Sequence, residues 1–430
     1  MNEFQNMNPN DATSNVALQE FKLQEILAYV AQYSPFYKRH FAKNNIDIAS
    51  IKSIADLTKI PTTNKEDLQR YNQDFICVDR SKIIDYVTTS GTLGDPVTFI
   101  LTDKDLDRLA YNEYRSLTTA GITANDIVQL TVTLDRRFMA GLAYFSGLRQ
   151  IGAAAIRVGP GNPELQWDTI QRIKPNVLIA VPSFVIRLID FAKQKNIDFK
   201  NSSIQKIICV GEPIRHQDFS LNEVGNRINA EWAVSLHSTY ASTEMGTAFT
   251  ECEEGRGGHL IPELAIIESL DLEGNPIADG EVGELTVTTL GTEGMPLIRF
   301  KTGDLCIIHK TLDNHQNLSW RIGPIVGRKS HMIKYKGTTL YPQALNDVLN
   351  GIPEVDNYYI EVSTNNLDTD ELVAFVHAPN VTAELEKQIK DTFRAKLRVA
   401  PTIKFVASAE IEKVKANPIQ RKPVDFIDLR

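Results

Sequence analysis

The segments VLIAV (177–181), KIICV (206–210) and AVSLHS (233–238) are three short apolar runs in the middle of a 430-residue chain. Stretches with apolar residues at helical spacing separate them, one beginning at Pro182 and the other near 216–226. Short apolar strands that alternate with helices predict right-handed βαβ crossovers and a parallel sheet. We therefore expect an α/β fold built around these strands.

The loops that follow the second and third strands are expected to border a binding site. Ligands on a parallel sheet usually lie at the carboxyl ends of its strands. Glu212 follows the second strand, and HSTYASTEMG (237–246) places Tyr240, Thr243 and Glu244 just beyond the third. An aromatic ring, a hydroxyl and a carboxylate are thus predicted at one edge of the sheet.

Other elements are predicted before and after these strands in the sequence. Residues 16–33 carry an apolar stripe at helical spacing, and Thr63 with Glu66 three residues later forms the pattern of a capping box that opens a helix. After residue 260, strands joined by polar turns predict a smaller antiparallel layer.

Beyond Arg328 a second compact unit of about 100 residues is predicted. Its expected elements are a strand at 332–335, a helix from 342, strands at 358–362 and 372–376, a helix at 382–397 and a strand at 403–406. The sequence therefore predicts an α/β protein whose large N-terminal domain, 1–328, has parallel and antiparallel sheets. A small, mobile α+β C-terminal domain, 329–430, follows it.

Composition restricts the partners of this chain. The 46 Lys and Arg residues against 54 Asp and Glu give a net charge of −8, which argues against a nucleic-acid binder because phosphate affinity requires clustered cations. No run of about 18 apolar residues predicts a membrane-spanning helix. The four cysteines lie far apart, and the N-terminus lacks the basic and apolar regions of a secretory signal. We expect a soluble, cytoplasmic protein, either a monomer or a homodimer.

The stretch YVTTSGTLGDPVTF (86–99) carries the strongest local signal for a ligand. Its hydroxyl-bearing residues and glycines are Thr89, Ser90, Gly91, Thr92 and Gly94. Hydroxyls, and backbone N–H groups that glycine leaves accessible, suit the oxygens of a polyphosphate. The loop is not a Walker A motif, which requires a following Lys and Ser or Thr. A surface turn rich in Ser, Thr and Gly is the alternative interpretation.

Two further segments complete a specific order of motifs: GMPLIRFKTGDL (294–305) and IVGRKSHMIKYKG (325–337). With them the chain resembles the acyl-adenylate-forming superfamily and, within it, the phenylacetate-CoA ligase branch, from about residue 20 to Arg430. The resemblance implies a two-step reaction. A carboxylate attacks the α-phosphate of ATP to give an acyl-adenylate and pyrophosphate, and a thiol, usually that of coenzyme A, then displaces AMP.

The resemblance implies a binding site for the adenosine part of ATP. Gly211-Glu212-Pro213 resembles the turn that lines the adenine pocket, and Tyr240-Ala241-Ser242 contains the ring that stacks on the base. Asp304 stands where the family accepts both ribose hydroxyls, a task suited to a group that only accepts hydrogen bonds. Arg328 matches an arginine near the hinge that also reaches the ribose.

The resemblance implies phosphate and catalytic groups as well. The loop Thr89 to Gly94 resembles the family's loop for the β- and γ-phosphates, and Thr243 lies beside those phosphates. Glu244 matches the acidic residue associated with Mg²⁺. The ending NPIQRKPVDFIDLR places the family's mobile catalytic lysine at Lys422, where a cation stabilises the charge that builds between carboxylate and α-phosphate. An exposed lysine on a frayed tail is the alternative.

Four positions depart from the family pattern. Asp95 stands where the phosphate loop usually has lysine, and Ala241 stands where glycine usually follows the tyrosine. Ser330 replaces the hinge acid, and Arg421 replaces the glycine before the catalytic lysine. These changes remove no reacting group, but they affect a cation near the pyrophosphate and the expected domain rotation.

Two residues of the loop ECEEGRGGHL (251–260) are candidates for a second metal site. Cys252 and His259 are two candidate zinc ligands, and Cys306, His309 or His315 would have to complete a tetrahedral site. A buried cysteine and a surface histidine are the alternative.

The stretch 134–154 resembles the segment that supplies aromatic walls to the family's acid pocket. Phe138, Tyr144 and Phe145 are therefore candidates, with His237 as a further one, although aromatic residues at this spacing equally fit an ordinary core. The branch implies an aromatic or arylalkyl carboxylate.

Three functions remain open from the sequence. The first is an ATP- and Mg²⁺-dependent ligase that forms an aryl-CoA thioester. The second is an adenylating enzyme that transfers the acyl group to a carrier-protein thiol or an amine. The third is a non-catalytic nucleotide-binding homologue, which the four departures favour and which the retained Glu244, Asp304, Arg328 and Lys422 oppose.

Overall fold

The computed structural model describes residues 12–89, 97–271, 273–310, 320–364, 370–415 and 425–430. Its α-helices are α1 (Ala12–Tyr33), α2 (Pro35–Lys43), α3 (Lys65–Arg70), α4 (Asp103–Thr119), α5 (Met139–Ile151), α6 (Pro163–Ile173), α7 (Pro182–Gln194), α8 (Glu223–Glu231), α9 (Pro342–Asn350), α10 (Ala383–Leu397) and α11 (Ser408–Lys415). Short 3₁₀ helices span Ile48–Ser50, Ile54–Lys59, Asn72–Phe75, Arg80–Lys82 and Lys329–His331.

The strands of the large N-terminal part are β1 (Ile83–Thr88), β2 (Thr98–Thr102), β3 (Ile127–Leu130), β4 (Ala154–Arg157), β5 (Val177–Ala180), β6 (Lys206–Val210), β7 (Ser235–Ser242), β8 (Thr247–Thr250), β9 (Gly258–His259), β10 (Ala265–Leu270), β11 (Val282–Thr289), β12 (Phe300–His309), β13 (Arg321–Ile322) and β14 (Gly327–Arg328). The C-terminal strands are β15 (Ile333–Tyr335), β16 (Thr338–Leu340), β17 (Asn357–Thr364), β18 (Asp370–His377), β19 (Thr402–Phe405) and β20 (Phe426–Asp428).

Twelve of the described strands form one mixed sheet in the order β10-β11-β12-β13-β9-β8-β7-β6-β5-β3-β4, with β14 paired to β12. The run from β7 to β4 is parallel, as the alternation of strands and helices predicted. The remaining pairs are antiparallel. The antiparallel strands therefore continue the parallel sheet edge to edge instead of forming a layer of their own.

Apolar side chains cover both faces of the parallel strands. One cluster joins α6, α7 and α8 to the sheet through large residues such as Trp167, Leu188 and Trp232. The other joins α4 and α5 to the opposite face through residues such as Leu117 and Leu148. Burial on both faces explains why β5, all four residues of which are buried, is an uninterrupted apolar run.

The last hundred residues have an apolar cluster of their own. Its buried members all lie between Ile333 and Ile403, and they are sandwiched between helices and a four-stranded sheet of order β19-β18-β17-β20. The predicted strand, helix, two strands, helix and strand are all present. The hairpin strand β16, helix α11 and the terminal strand β20 were not predicted.

Two local predictions were wrong. Helix α3 is capped by Asn64, whose side chain accepts from the Asp67 N–H, and not by Thr63 with Glu66. Thr63 is instead buried and donates its hydroxyl to the carbonyl of Ile298 at 3.0 Å. The helix expected near 216–226 begins only at Glu223, because Asn222 caps it by accepting from the Gly225 N–H at 3.0 Å.

Candidate active site

A cavity of about 310 Å³ opens where β6 and β7 meet β12 and β14. Among the residues lining it are eight that the sequence had placed around the adenosine part of a nucleotide: Gly211, Glu212, Pro213, Tyr240, Ala241, Ser242, Asp304 and Arg328. These residues come from four separate stretches of the chain. The folded protein brings all of them to one cavity.

Asp304 is the polar centre of this cavity. Its carboxylate, in a residue only 6% exposed, accepts from the Tyr240 hydroxyl at 2.6 Å and from Arg328 Nε at 3.0 Å. The antiparallel pairing of β12 with β14 places Asp304 directly opposite Arg328. A carboxylate offers about four acceptor positions, so the two internal hydrogen bonds orient it while leaving it able to accept from a ligand.

Charge and burial shift the pKa of both partners of Asp304. Burial, with the nearby Asp304 carboxylate as the second cause, raises the pKa of Tyr240 well above its ordinary value. Burial alone would lower the pKa of Arg328, but Asp304, Tyr240 and Glu244 together raise it. Tyr240 therefore stays a neutral donor and Arg328 a cation across the physiological pH range.

The turn 211–213 is held by its backbone and by one side chain. Gly211 has φ +78°, a conformation that a residue with Cβ adopts only with strain. The Glu212 carboxylate accepts from the Ser183 N–H at 2.9 Å and from its hydroxyl at 2.8 Å, at the first turn of α7. Glu212 thus satisfies a helix N-terminus next to the cavity.

Arg215 and Glu251 line the same cavity, and the sequence gave no reason to select them. Arg215 Nε lies 3.0 Å from each carboxylate oxygen of Glu251, and one of these oxygens also accepts from the Ser238 N–H at 2.9 Å. Burial raises the pKa of Glu251, against the opposing effect of Arg215. Because the two charges are 36 positions apart, no local spacing links them, and only the fold reveals the pair.

Thr243 and Glu244 lie in the turn between β7 and β8, beside a second, small cavity of about 30 Å³. Arg108 of α4, which is buried, fixes this turn by donating to the carbonyl of Gly246 at 2.6 Å, and it also donates to those of Leu264 and Leu290 at 2.7 Å each. Burial lowers the pKa of Arg108 to about 10. This arginine was missed as well, because a single charge in an amphipathic helix resembles a surface residue.

The expected phosphate-binding residues lie only in part within the described chain. Thr89 follows the hairpin strand β1, and its hydroxyl accepts from the Val97 N–H at 3.0 Å while its own N–H donates to the Val97 carbonyl. Ser90, Gly91, Thr92, Gly94 and Asp95 lie outside the described residues, as do Arg421 and Lys422.

None of the candidates for the acid pocket is among the residues that line the large cavity. Tyr144 is buried in the α4–α5 side of the core, and burial raises its pKa. Phe138 and Phe145 are half-buried beside it. His237 is buried in β7 between the Ser235 hydroxyl at 2.9 Å and the Glu251 carbonyl at 3.3 Å, and burial lowers its pKa. Their part in acid binding stays a prediction.

In the described part of the chain, no group of metal ligands forms around the predicted zinc residues. Cys252 is half-buried and His259 lies on β9. Within the described ranges, no three His, Cys, Asp or Glu side chains come close enough to hold a metal ion. The zinc site therefore stays a prediction with two ligands, since His315 lies outside those ranges.

The mixed sheet, the C-terminal unit and the pocket around Asp304 together define a nucleotide-binding enzyme of the adenylate-forming class. Residues 36–293 match the model of the AMP-binding enzyme family, and residues 337–430 match that of the AMP-binding enzyme C-terminal domain. The chain belongs to the AMP-binding enzyme family.

Two known ligases are similar to this chain over most of its length. The phenylacetate-coenzyme A ligase of Thermus thermophilus is 30% identical over 370 residues, which cover 84% of this chain and 82% of that protein. A 2-hydroxyisobutyryl-CoA ligase in its postadenylation state has a TM-score of 0.84 at 23% identity, covering 97% of this chain and 90% of that one. The same ligase in its thioesterification state has a TM-score of 0.69, also at 23% identity and the same coverage.

The length and polarity of the described helices bear on membrane insertion. In the part of the chain that the structure describes, no helix has the length and apolar character needed to span a bilayer.

Proposed function

We propose that the chain is an AMP-forming ligase that activates an aryl or arylalkyl carboxylic acid with ATP and transfers the acyl group to coenzyme A. The observation that carries this proposal is the Asp304 carboxylate, oriented by Tyr240 and Arg328 inside a cavity of about 310 Å³ in a chain of the AMP-binding family. This volume lies within the range typical of small-molecule sites.

In the proposed complex the adenosine part of ATP fills the large cavity. The ribose hydroxyls donate to Asp304, and Arg328 contacts the same sugar. The base lies between the turn Gly211-Glu212-Pro213 and the strand Tyr240-Ala241-Ser242. The buried Arg215–Glu251 pair supports the wall formed by Ser238 and adds no net charge to it.

Glu244 is the proposed ligand of the Mg²⁺ that accompanies ATP. Thr243 is proposed to lie beside the phosphates. A carboxylate and a hydroxyl supply the oxygen atoms that Mg²⁺ prefers, and Glu244 is close enough to Arg328 to affect its pKa. Bound Mg²⁺ would neutralise phosphate charge. Lys422 is the proposed cation that stabilises the developing charge between the carboxylate and the α-phosphate.

The acid is proposed to be aromatic because the relative from Thermus thermophilus is named a phenylacetate-coenzyme A ligase. Phe138, Tyr144 and His237 are the proposed pocket residues. We also propose the domain division 1–328 and 329–430, which the separate apolar cluster beyond Ile333 supports. The cytoplasm is the proposed location, since none of the four cysteines forms a disulfide and three of them are buried. A homodimer stays a prediction.

The test is ATP–pyrophosphate exchange with a panel of arylacetates, benzoates and short aliphatic acids, followed by AMP release with and without coenzyme A. We expect exchange that depends on an aryl acid and AMP release that depends on coenzyme A. Exchange followed by accumulation of adenylate in the presence of coenzyme A would indicate another acceptor. No exchange with any acid would favour the non-catalytic alternative.

The lysine assignment has its own test. Lys422→Ala should reduce exchange about 100-fold, because it removes a charge placed where the transition state becomes negative. Lys413→Ala is the matched control, since Lys413 is an exposed lysine of the neighbouring helix α11. Exchange at the wild-type rate in Lys422→Ala contradicts the assignment.

A further inference from the structure

The turn 133–138, between β3 and α5, has an unusual backbone. Arg136 has φ +56° and Arg137 has φ +57°, so two consecutive residues with side chains occupy the left-handed region. This conformation is unfavourable for L-residues because Cβ approaches the following carbonyl oxygen. Glycine would adopt it without strain. Strained backbone is concentrated at functional sites, and here two consecutive residues carry it, so we consider what lies beside this turn.

A hydrogen bond attaches this turn to the proposed phosphate-binding segment. The N–H of Thr88, the last residue of β1, donates to the carbonyl of Arg137 at 3.0 Å. Thr89, the first residue proposed to hold phosphates, comes next in the chain. The strained turn is therefore fixed beside the start of that segment.

The other end of the turn leads to the proposed magnesium site. Helix α5 begins at Met139, two residues after Arg137. Met139 lines the small cavity of about 30 Å³ together with Thr243, Glu244 and Phe99, the last from the hairpin strand β2. The turn 133–138 thus lies between the two segments to which the proposed function assigns the triphosphate.

Residues 86–99 and 237–246 each carry a net negative charge, whereas the turn 133–138 carries a net positive one. Residues 86–99 contain Asp95 and no Lys or Arg, and residues 237–246 contain Glu244 and no Lys or Arg. The turn itself has Asp135 with Arg136 and Arg137. Arg136 and Asp135 are 4.0 Å apart with side chains 73% and 77% exposed, an ion pair of little strength. Arg136 and Arg137 are therefore the only Lys or Arg residues in these three segments.

We propose that Arg137, with Arg136 beside it, binds the β- and γ-phosphates of ATP and the pyrophosphate product. This inference rests on the proposed function. The pair supplies the positive charge that residues 89–96 lack, because an acid, Asp95, stands in that segment. Guanidinium groups suit this role since they form paired, charge-assisted hydrogen bonds with phosphate oxygens.

The decisive experiment compares two ligands that contain the β- and γ-phosphates, ATP and pyrophosphate, with AMP, which lacks them. Affinities for ATP, pyrophosphate and AMP are measured by calorimetry on the full chain for wild type, Arg136→Gln and Arg137→Gln. Arg137→Gln should weaken ATP and pyrophosphate about tenfold, the scale of one charge-assisted contact, and Arg136→Gln less so. AMP should bind as to wild type. Arg149→Gln, an exposed arginine at the other end of α5, should change none of the three.

Two more variants separate charge from backbone shape. Arg137→Lys keeps the charge and the strain but loses the paired hydrogen bonds of the guanidinium, so it should lose less affinity for ATP than Arg137→Gln. Arg137→Gly relieves the strain and should raise the melting temperature while losing the same affinity as Arg137→Gln. Wild-type ATP affinity in Arg137→Gln, or an equal loss of ATP and AMP affinity, overturns the inference. A wild-type chain that binds neither ATP nor AMP overturns the proposed function and this inference with it, whereas nucleotide binding with unchanged variants overturns the inference alone.

Discussion

Asp304 illustrates how single residues from distant parts of the chain form one site. Its two partners, Tyr240 and Arg328, are 64 and 24 positions away in sequence. The family resemblance predicted each of the three separately, and the structure shows that they contact one another. Motif comparison found them because each lies in a recognisable local pattern. Arg215, Glu251 and Arg108 lie in no such pattern, and only their contacts identify them.

Asp304→Asn should weaken AMP binding about 10- to 100-fold. The amide keeps the size of the side chain but provides one acceptor oxygen, so Tyr240 or Arg328 loses its partner and the ribose loses an acceptor, at a cost of ~1.5–3 kcal/mol for hydrogen bonds to a charged group. Calorimetric titration with AMP measures this. Asp279→Asn, at an exposed carboxylate paired with Lys310, should bind normally. Unchanged AMP affinity in a folded Asp304→Asn would refute the ribose assignment.

At the scale of helices and strands, the parallel core was the most predictable part of the fold. Apolar runs such as 177–180 and 206–210 are buried on both faces, so their composition alone marks them. Strand β7 was predicted to end before Tyr240, but it continues to Ser242 because β8 pairs with it through Ser242. Small and polar residues there conceal a strand whose stability comes from its neighbour. The cap of α3 was misplaced by one residue, because Thr63 and Asn64 both have side chains that can cap a helix and only the contact of Thr63 with Ile298 decides between them.

The packing of α4 against α5 contains a buried acid with a measurable consequence. Glu113 faces Gly147, where an added Cβ would come within 2.4 Å of the Glu113 Cβ. One carboxylate oxygen accepts from Asn112 at 3.1 Å, and the other has no hydrogen-bond partner among the described residues. Burial raises the pKa of Glu113 to about 8 from the usual 4.5. This pair of helices is therefore most stable when Glu113 is protonated.

The raised pKa predicts how stability changes with pH. Between pH 4.5 and 8 the folded chain retains a proton that the unfolded chain releases, so the Glu113 contribution to stability is complete below pH 4.5 and is lost as pH rises toward 8. Glu113→Gln should thus gain stability relative to wild type as pH rises, by up to ~1.4 kcal/mol per pH unit. Denaturant unfolding at pH 5, 6.5 and 8 measures this. The exposed control Glu25→Gln should show a constant difference, and a constant difference in Glu113→Gln would disprove the burial argument.

For the whole molecule, sequence patterns predicted two units but not their arrangement. Element order depends on local periodicity, whereas the arrangement depends on a few polar contacts between residues far apart in sequence. Three of these contacts join the large part to the C-terminal part: Lys329 to Glu284 at 3.2 Å, Lys396 to Glu223 at 3.0 Å and His216 to Asp347 at 4.0 Å. Gly327 also lies against the ring of Tyr341, where an added Cβ would come within 2.5 Å. Charged contacts of this kind are common between domains that move relative to each other.

The pair Lys396–Glu223 gives a test of this arrangement. The two side chains are 46% and 35% exposed, so the pair itself contributes only ~0.2–1 kcal/mol, but a charge reversal replaces attraction with repulsion. Lys396→Glu should therefore disfavour the arrangement that this contact stabilises.

If the C-terminal part changes its orientation between the two proposed steps, we expect Lys396→Glu to change ATP–pyrophosphate exchange and thioester formation from added acyl-adenylate by different factors, with one of the two reduced a few-fold. The double variant Lys396→Glu with Glu223→Lys restores opposite charges and should recover the reduced step, and 0.5 M salt should shrink every difference because the pair is exposed. Lys387→Glu makes the same charge change at an exposed position of α10 and should have no effect. An equal reduction of both steps, or no recovery in the double variant, would show that Lys396 affects stability and not the orientation of the C-terminal domain.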